Sequence, residues 1–313
     1  MLDAALRSRL RLPLIAAPML RVSGPALVAA ACRAGVVGAF PTANARSVAE
    51  LDAWLSGIAT TVRAGRETYA PWCPNLIIRQ PRMADDLACL VRHKVEMVIT
   101  SVGSPAAVVG PLHDVGALVL ADVATLRHAE KAVQAGADGL VLLTAGAGGQ
   151  TGWMNGFAFV RAVRGFFDGP IVLAGGVSDG HALLAAEALG CDLAYMGTRF
   201  IATRESLAAD GYKDMLVASS MDDVLLTKAF TGLQTNMLRP SIVASGLDPD
   251  RLDEAVTPQQ AREMFGPGGD GPRRWTNVWS AGHAVSGVGA VQSVDDLVAD
   301  VAADYARARA AMA

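Results

Sequence analysis

Two short glycine motifs carry the sharpest chemical signal in this chain. Gly175-Gly176 lies in Ala174-Gly175-Gly176-Val177, and Gly197-Thr198 lies in Met196-Gly197-Thr198-Arg199. Each follows an apolar run and opens a segment of helical spacing. Without a Cβ, backbone N–H groups can approach an anion closely, and the positive end of a helix dipole favours one there. The pattern predicts phosphate binding; the plainer alternative is that the glycines only relieve crowding at tight turns. A third run, Ala145-Gly146-Ala147-Gly148-Gly149-Gln150-Thr151-Gly152, holds four glycines. Its backbone is expected against a flat or phosphorylated ligand, the alternative being a mobile surface loop.

Proton-carrying side chains are sparse. There are five histidines, and His93, His113 and His128 fall at helix ends or on polar helix faces, where solvent is the default. His181 sits just after the Gly175-Gly176 loop, as a surface residue or a phosphate contact. His283 follows Ala281-Gly282, with Ser286 three residues on. It either supplies an imidazole that titrates near neutral pH or is a loop residue satisfied by backbone. Asp122 ends an apolar run shortly before Thr125, so it either faces a ligand or caps the turn. Trp72, Trp153 and Trp279 are pocket walls or core filler. The cysteines Cys32, Cys73, Cys89 and Cys191 are scattered, with no Cys-x-x-Cys, and are expected as reduced thiols with neither a disulfide framework nor a zinc site.

The elements that must position these residues alternate between strand and helix. Apolar runs predict strands at 14–17, 36–40, 69–76, 95–100, 117–121, 139–144, 171–174 and 193–196. Helical spacing fills 24–34, 47–62, 81–93, 125–134, 155–167 and a segment that starts at Ser178 as cap and stops at Gly190. Continuous rather than alternating apolar strands, separated by helices, mean parallel strands covered on both faces. The unit count suits an α/β fold of the (β/α)8 TIM-barrel type. An open doubly wound sheet would place Gly-x-Gly-x-x-Gly after the first strand, and none is there. After Thr203 the alternation stops. Residues 205–242 read as mostly helical and 248–274 are rich in Pro, Gly and Asp, so 205–274 is expected as a mainly helical insertion after strand eight, a lid at the barrel mouth. Residues 1–204 and 275–313 form the barrel, closed by a helix over 294–312.

Composition narrows the classes. The chain has 313 residues, 52% apolar and 18% charged, with 27 Lys and Arg against 30 Asp and Glu. A net charge of −3 without a basic block excludes a nucleic-acid footprint. The high apolar content excludes disorder. The longest tempting apolar run, 25–40, is broken by Arg33 and Gly35 and is too short to span a bilayer. A cytoplasmic protein with small-molecule partners and no membrane is expected; the oligomeric state stays open.

In a barrel the working residues lie after the strands. The first strand ends Leu14-Ile15-Ala16-Ala17-Pro18-Met19, the third contains Asn75 and the fifth ends at Asp122. Together with the Gly-Gly of the sixth loop, Ala174–Val177, and Met196-Gly197-Thr198-Arg199-Phe200-Ile201-Ala202-Thr203, the first-strand segment resembles the nitronate monooxygenase family, formerly called 2-nitropropane dioxygenases. The likeness runs over the whole barrel and into Trp279-Ser280-Ala281-Gly282. It implies an enzyme with flavin mononucleotide (FMN). By likeness Gly175, Gly176, Gly197 and Thr198 hold the FMN phosphate. The backbone of Ala17, Pro18 and Met19 lies beside the flavin ring, Asn75 hydrogen-bonds the cofactor, and Gly148 and Gly149 line the ring.

Two positions depart from the family. Its sixth loop usually reads Gly-Gly-His, the His being the base that removes the proton alpha to the nitro group; here the residue is Gln150, which cannot take a proton near neutral pH. Its fifth strand often ends in a Lys; here Asp122 would repel a phosphate and is expected to face a ribityl hydroxyl or a substrate donor. The family commonly reads Ala-Gly-Gln where this chain has Ala281-Gly282-His283, so His and Gln look exchanged. That makes His283, Gln150 and Ser286 the expected catalytic group. The implied reaction is O2-dependent oxidative denitrification of alkyl nitronates. The alternatives are an NAD(P)H-dependent quinone or enoyl reductase, a flavin-free lyase or isomerase barrel that binds a substrate phosphate, and a non-catalytic flavin binder.

Overall fold

The eight apolar runs form eight parallel strands. In a computed structural model, which describes residues 1–266 and 271–312, the first nine strands are β1 (Leu14–Ala16), β2 (Val37–Pro41), β3 (Trp72–Ile77), β4 (Met97–Ser101), β5 (Leu118–Val123), β6 (Gly139–Leu143), the two-residue β7 (Gly149–Gln150), β8 (Ile171–Ala174) and β9 (Leu193–Met196). All but β7 close a barrel in the order β1-β2-β3-β4-β5-β6-β8-β9, shut by Leu14 opposite Ala194. Ile15, Val37, Cys73, Ile99, Leu120, Val141, Val172 and Leu193 fill its interior. Their alternates, such as Leu14, Val119, Leu140 and Leu142, pack under the helices. Both strand faces are buried, which is why the strands read as unbroken apolar runs. Each such side chain contributes about 1.5–3 kcal/mol on burial.

Helix α1 (Ala4–Ser8) comes first, and Leu2, Leu6 and Leu10 around it pack against the interior cluster. The outer layer is α2 (Pro25–Ala34), α3 (Val48–Arg63), α4 (Met83–Arg92), α5 (Ala106–His113), α6 (Leu126–Gln134), α7 (Gly156–Arg164) and α8 (Gly180–Leu189). Pro25 opens α2, and Gly35 ends it in the left-handed region at φ +89°, as a glycine stop should. Helix α5 has no counterpart in the sequence reading, because Gly110 and Pro111 inside it mimic a loop. The cap of α8 is Asp179 rather than Ser178: its carboxylate accepts from the Ala182 N–H at 2.8 Å, and a negative charge suits a helix N-terminus better than a hydroxyl.

Beyond β9 come α9 (Thr198–Ile201), α10 (Asp210–Ala218), β10 (Val224–Thr227), β11 (Thr235–Leu238), α11 (Arg239–Ala244), α12 (Pro258–Phe265) and α13 (Val294–Met312). The expectation of a mostly helical 205–242 needs correcting. Strands β10 and β11 pair antiparallel, and β11 pairs in turn with β7. These runs are too short for stable helices, and the sixth loop offers an edge on which they can complete a sheet. Part of the Pro/Gly/Asp-rich stretch, 267–270, lies outside the described residues. Among the described residues no helix is long and apolar enough to cross a membrane.

Candidate active site

Side chains outside the mouth fix the loops that form it. Ser23 Oγ accepts from the Met19 N–H (3.0 Å) and donates to the Ala17 carbonyl (3.2 Å). Asn44 Nδ2 donates to the carbonyls of Met19 (2.9 Å) and Ser23 (2.8 Å). Together they hold Ala17-Pro18-Met19 across the end of β1. On the sixth loop, the buried Asn236 of β11 donates to the carbonyls of Ala145 (2.8 Å) and Ala147 (2.7 Å). The C-terminal segment locks in beside it: the Gly282 N–H donates to Thr198 Oγ1 (3.0 Å) and the His283 N–H to the Gly146 carbonyl (3.0 Å). A Cβ on Gly148 would stand 2.7 Å from Gly282 N, so this contact requires glycine.

These loops enclose a cavity of about 1100 Å³ at the barrel mouth. The structure brings every expected cofactor-binding residue to it: Ala17, Pro18 and Met19 from the first loop, Asn75 from β3, Asp122 from β5, Gly148 and Gly149 from the sixth loop, and Gly175, Gly176, Gly197 and Thr198 from the ends of β8 and β9. Gln150 also lines it, at the β7 pairing with Thr235. Gly176, at φ +76°, faces open space, and no hydrogen bond among the described residues occupies its N–H. No side chain caps the start of α9 on the adjacent strand. Asn75 Oδ1 accepts from Ser101 Oγ at 3.2 Å, which leaves its amide N–H groups for a ligand.

The floor is acidic and the rim basic. Asp122 Oδ1 and the Tyr195 hydroxyl are buried without a partner among the described residues. Burial pushes the Asp122 carboxyl up to about 7. Burial also raises the Tyr195 phenol well above its usual range, with a further contribution from Asp122. Exposed Arg79, His128 and Lys131 stand on the rim. The wall includes a stacked pair, Tyr212 and Trp279, with ring centroids 5.0 Å apart; Tyr212 donates to the Ser280 carbonyl at 2.5 Å. Val102 (φ +55°) and Trp275 (φ +64°) line the cavity in the left-handed region, a conformation that costs such residues about 1–3 kcal/mol and clusters at functional sites.

The expected catalytic group is not assembled. The His283 side chain is not among the cavity-lining residues; a Cβ on Gly146 would meet its Nδ1 at 3.3 Å, so the ring packs against Gly146 of the sixth loop. Its backbone N–H bond to the Gly146 carbonyl holds the segment beside that loop. Ser286 is exposed, does not line the cavity, and accepts from the Met221 N–H at 2.8 Å. Of the tryptophans, Trp72 is core, Trp153 is 74% exposed and Trp279 is a wall. His93, His113 and His181 pair with Asp52, Asp138 and Asp304. The reading missed Tyr195, whose signal was a lone hydroxyl on an interior-facing strand position, and Asn236, which nothing in the pattern marked.

A closed parallel barrel with this mouth cavity defines a TIM-barrel enzyme. The nitronate monooxygenase family model matches residues 80–304, and the chain belongs to that family; it is an oxidoreductase. It is 31% identical over 291 residues to a nitronate monooxygenase of Paraburkholderia phytofirmans, covering 79% of this chain and 78% of that one. It is 28% identical over 233 residues to a Rhodococcus jostii (3aS,4S,5R,7aS)-5-hydroxy-7a-methyl-1-oxo-octahydro-1H-indene-4-carboxyl-CoA dehydrogenase, covering 74% of this chain and 64% of the relative's length. Among solved structures, FabK from Thermotoga maritima superposes with a TM-score of 0.84 at 25% identity, over 100% of this chain and 99% of that one. Nitroalkane oxidase from Streptomyces ansochromogenes gives 0.76 at 25% identity, over 99% and 100%.

Proposed function

We propose that the chain is an FMN-dependent oxidoreductase that oxidises small alkyl nitronates with O2 at the barrel mouth. The observation that carries this is the juxtaposition of free backbone donors at Gly176 and the uncapped α9 start with orphaned polar atoms, Asp122 Oδ1 and the Tyr195 hydroxyl, on one cavity. That donor set fits a ligand with a phosphate at one end and a polar conjugated ring at the other. Gly175, Gly176, Gly197 and Thr198 would hold the phosphate. The backbone of Ala17–Met19 and of Gly148-Gly149 would flank the ring, and the Asn75 amide would donate to its edge. FMN, when bound, supplies the electron acceptor.

Gln150 bears on the substrate. A neutral nitroalkane needs a base to lose its α proton, and a glutamine is none. A nitronate has already lost that proton, so a hydrogen bond from the Gln150 amide to its nitro group suffices. Arg79, His128 and Lys131 at the rim favour the approach of an anion. Membership in an oxidoreductase family sets aside the flavin-free lyase and non-catalytic readings. The second reading is an NAD(P)H-dependent reductase of quinones or enoyl groups. It is favoured by the same Gln150, since hydride transfer from a nicotinamide needs no base there. The test is nitrite release: FMN-loaded protein given a primary nitronate and O2 should release nitrite as it consumes oxygen. Oxidation of NADH or NADPH by a quinone, without nitrite release from a nitronate, refutes the first reading in favour of the second.

A further inference from the structure

In β5 the interior-facing positions are Leu118, Leu120 and then Asp122, and in β9 they are Leu193 and then Tyr195. Both strands therefore place one polar side chain at the last interior position below the cavity, in an otherwise aliphatic layer. Tyr195 is only 8% exposed, yet among the described residues its hydroxyl has no partner, and neither has Asp122 Oδ1. A buried polar atom left unpaired costs about 1–3 kcal/mol. Two of them on one floor mark a place where a ligand completes the bonding.

Resting on the flavin reading, we propose that Asp122 and Tyr195 form an oxyanion-binding pair, two neutral O–H donors that hold a conjugated oxygen bearing negative charge. The oxygen belongs either to the substrate, such as a nitronate or enolate, or to a carbonyl of the cofactor ring. An unpaired carboxylate on this floor would repel such an oxygen; a neutral carboxylic acid donates to it. The surroundings favour the neutral form. Burial alone raises the Asp122 carboxyl, to about 7, and no cation contributes. The titratable groups facing it are Tyr195 on β9 and Cys73 on β3, each raised by burial and further by Asp122, so neither supplies a compensating positive charge. Arg79, His128 and Lys131 lie at the exposed rim. Below neutrality the pair therefore presents two donors; above it, one donor and one repelling charge.

The probe is butanoate, a planar anion that resembles a nitronate and cannot be oxidised in its place. Its affinity for the FMN-loaded protein is measured by the perturbation of the flavin spectrum. Affinity should fall roughly tenfold or more as pH rises through about 7. Asp122→Asn, which keeps a neutral donor, should hold the affinity flat, and Tyr195→Phe should weaken it roughly tenfold at every pH. If the oxygen is the cofactor's, butanoate binding stays flat with pH, and the pH dependence of the bound flavin's reduction potential, which includes the ring's own ionisation, differs between the parent and Asp122→Asn. Butanoate affinity flat with pH together with a potential whose pH dependence is the same in the parent and Asp122→Asn, or a break in butanoate affinity that persists in Asp122→Asn, overturns the pair. A protein that takes up no FMN refutes the flavin reading instead. The Asp122 carboxyl signal, followed by NMR in cofactor-free protein against Asp122→Asn, still decides the pair: titration near 7 supports it, and titration at the ordinary value of about 4 overturns it.

Discussion

Gly176 allows charge to be separated from shape. It sits at φ +76° with nothing within 4 Å of where a Cβ would stand. Gly176→Ala therefore meets no clash and pays only the left-handed backbone cost of about 1–2 kcal/mol. Gly176→Asp pays the same and adds a carboxylate beside the free N–H. At about 4 Å and an effective dielectric of about 20, two unit charges repel by about 4 kcal/mol. A phosphate monoester carries about −1.5 to −2, so the total reaches about 6 kcal/mol, or more than about 10⁴-fold in affinity. Titrating cofactor-free protein with FMN and following flavin fluorescence measures both variants on one scale. Gly176→Ala should bind within about tenfold of the parent, and Gly176→Asp should retain no measurable FMN. Two variants of equal affinity would show that the phosphate does not sit at this loop. Gly175 is no substitute for the test, since a Cβ there would lie 2.3 Å from Thr144 Oγ1 and disturb the fold itself.

Other outcomes follow from the same geometry. The raised Asp122 carboxyl keeps its proton to about pH 7 in the folded chain and to only about 4 when unfolded. The folded state binds more protons in that window, so stability falls as pH rises from about 4 to about 7, by up to about 4 kcal/mol. Asp122→Asn should lose that slope and melt higher than the parent at pH 8; a melting-temperature difference that does not change with pH contradicts this. His283→Gln should leave nitronate turnover within a few-fold of the parent with FMN still bound, because the side chain does not line the cavity; a hundredfold loss would return the imidazole to the chemistry. Gly282→Ala, whose Cβ would lie 2.6 Å from the Gly146 carbonyl, should loosen the C-terminal lock on the sixth loop, and limited proteolysis should then cut 145–152 faster than in the parent.

How much of this was legible depended on whether a residue's role is local. The eight strands announced themselves because burial on both faces leaves no polar alternation. The glycine stops at Gly35 and Gly190 did so because only glycine takes that backbone readily. Helix α5 was hidden by Pro111, and the β10–β11 hairpin by runs too short to show a period. Its pairing with Gly149-Gln150 joins segments some 85 residues apart, which no local pattern reports. The glycines, Asn75 and Asp122 were placed on the cavity by their positions at strand ends. The exchange of His and Gln rests on two segments facing one barrel mouth, which is a property of the segments; which way the His283 ring points from its backbone bond to Gly146 is not written in the local pattern.

In the proposed reaction electrons pass from a nitronate to FMN held in this cavity. Anaerobic titration of the FMN-loaded protein with a primary alkyl nitronate, followed by visible absorption, tests it directly. The expected result is stoichiometric loss of the flavin bands and their return when O2 is admitted. A spectrum that nitronate leaves unchanged, while NADH or NADPH bleaches it, would contradict the account.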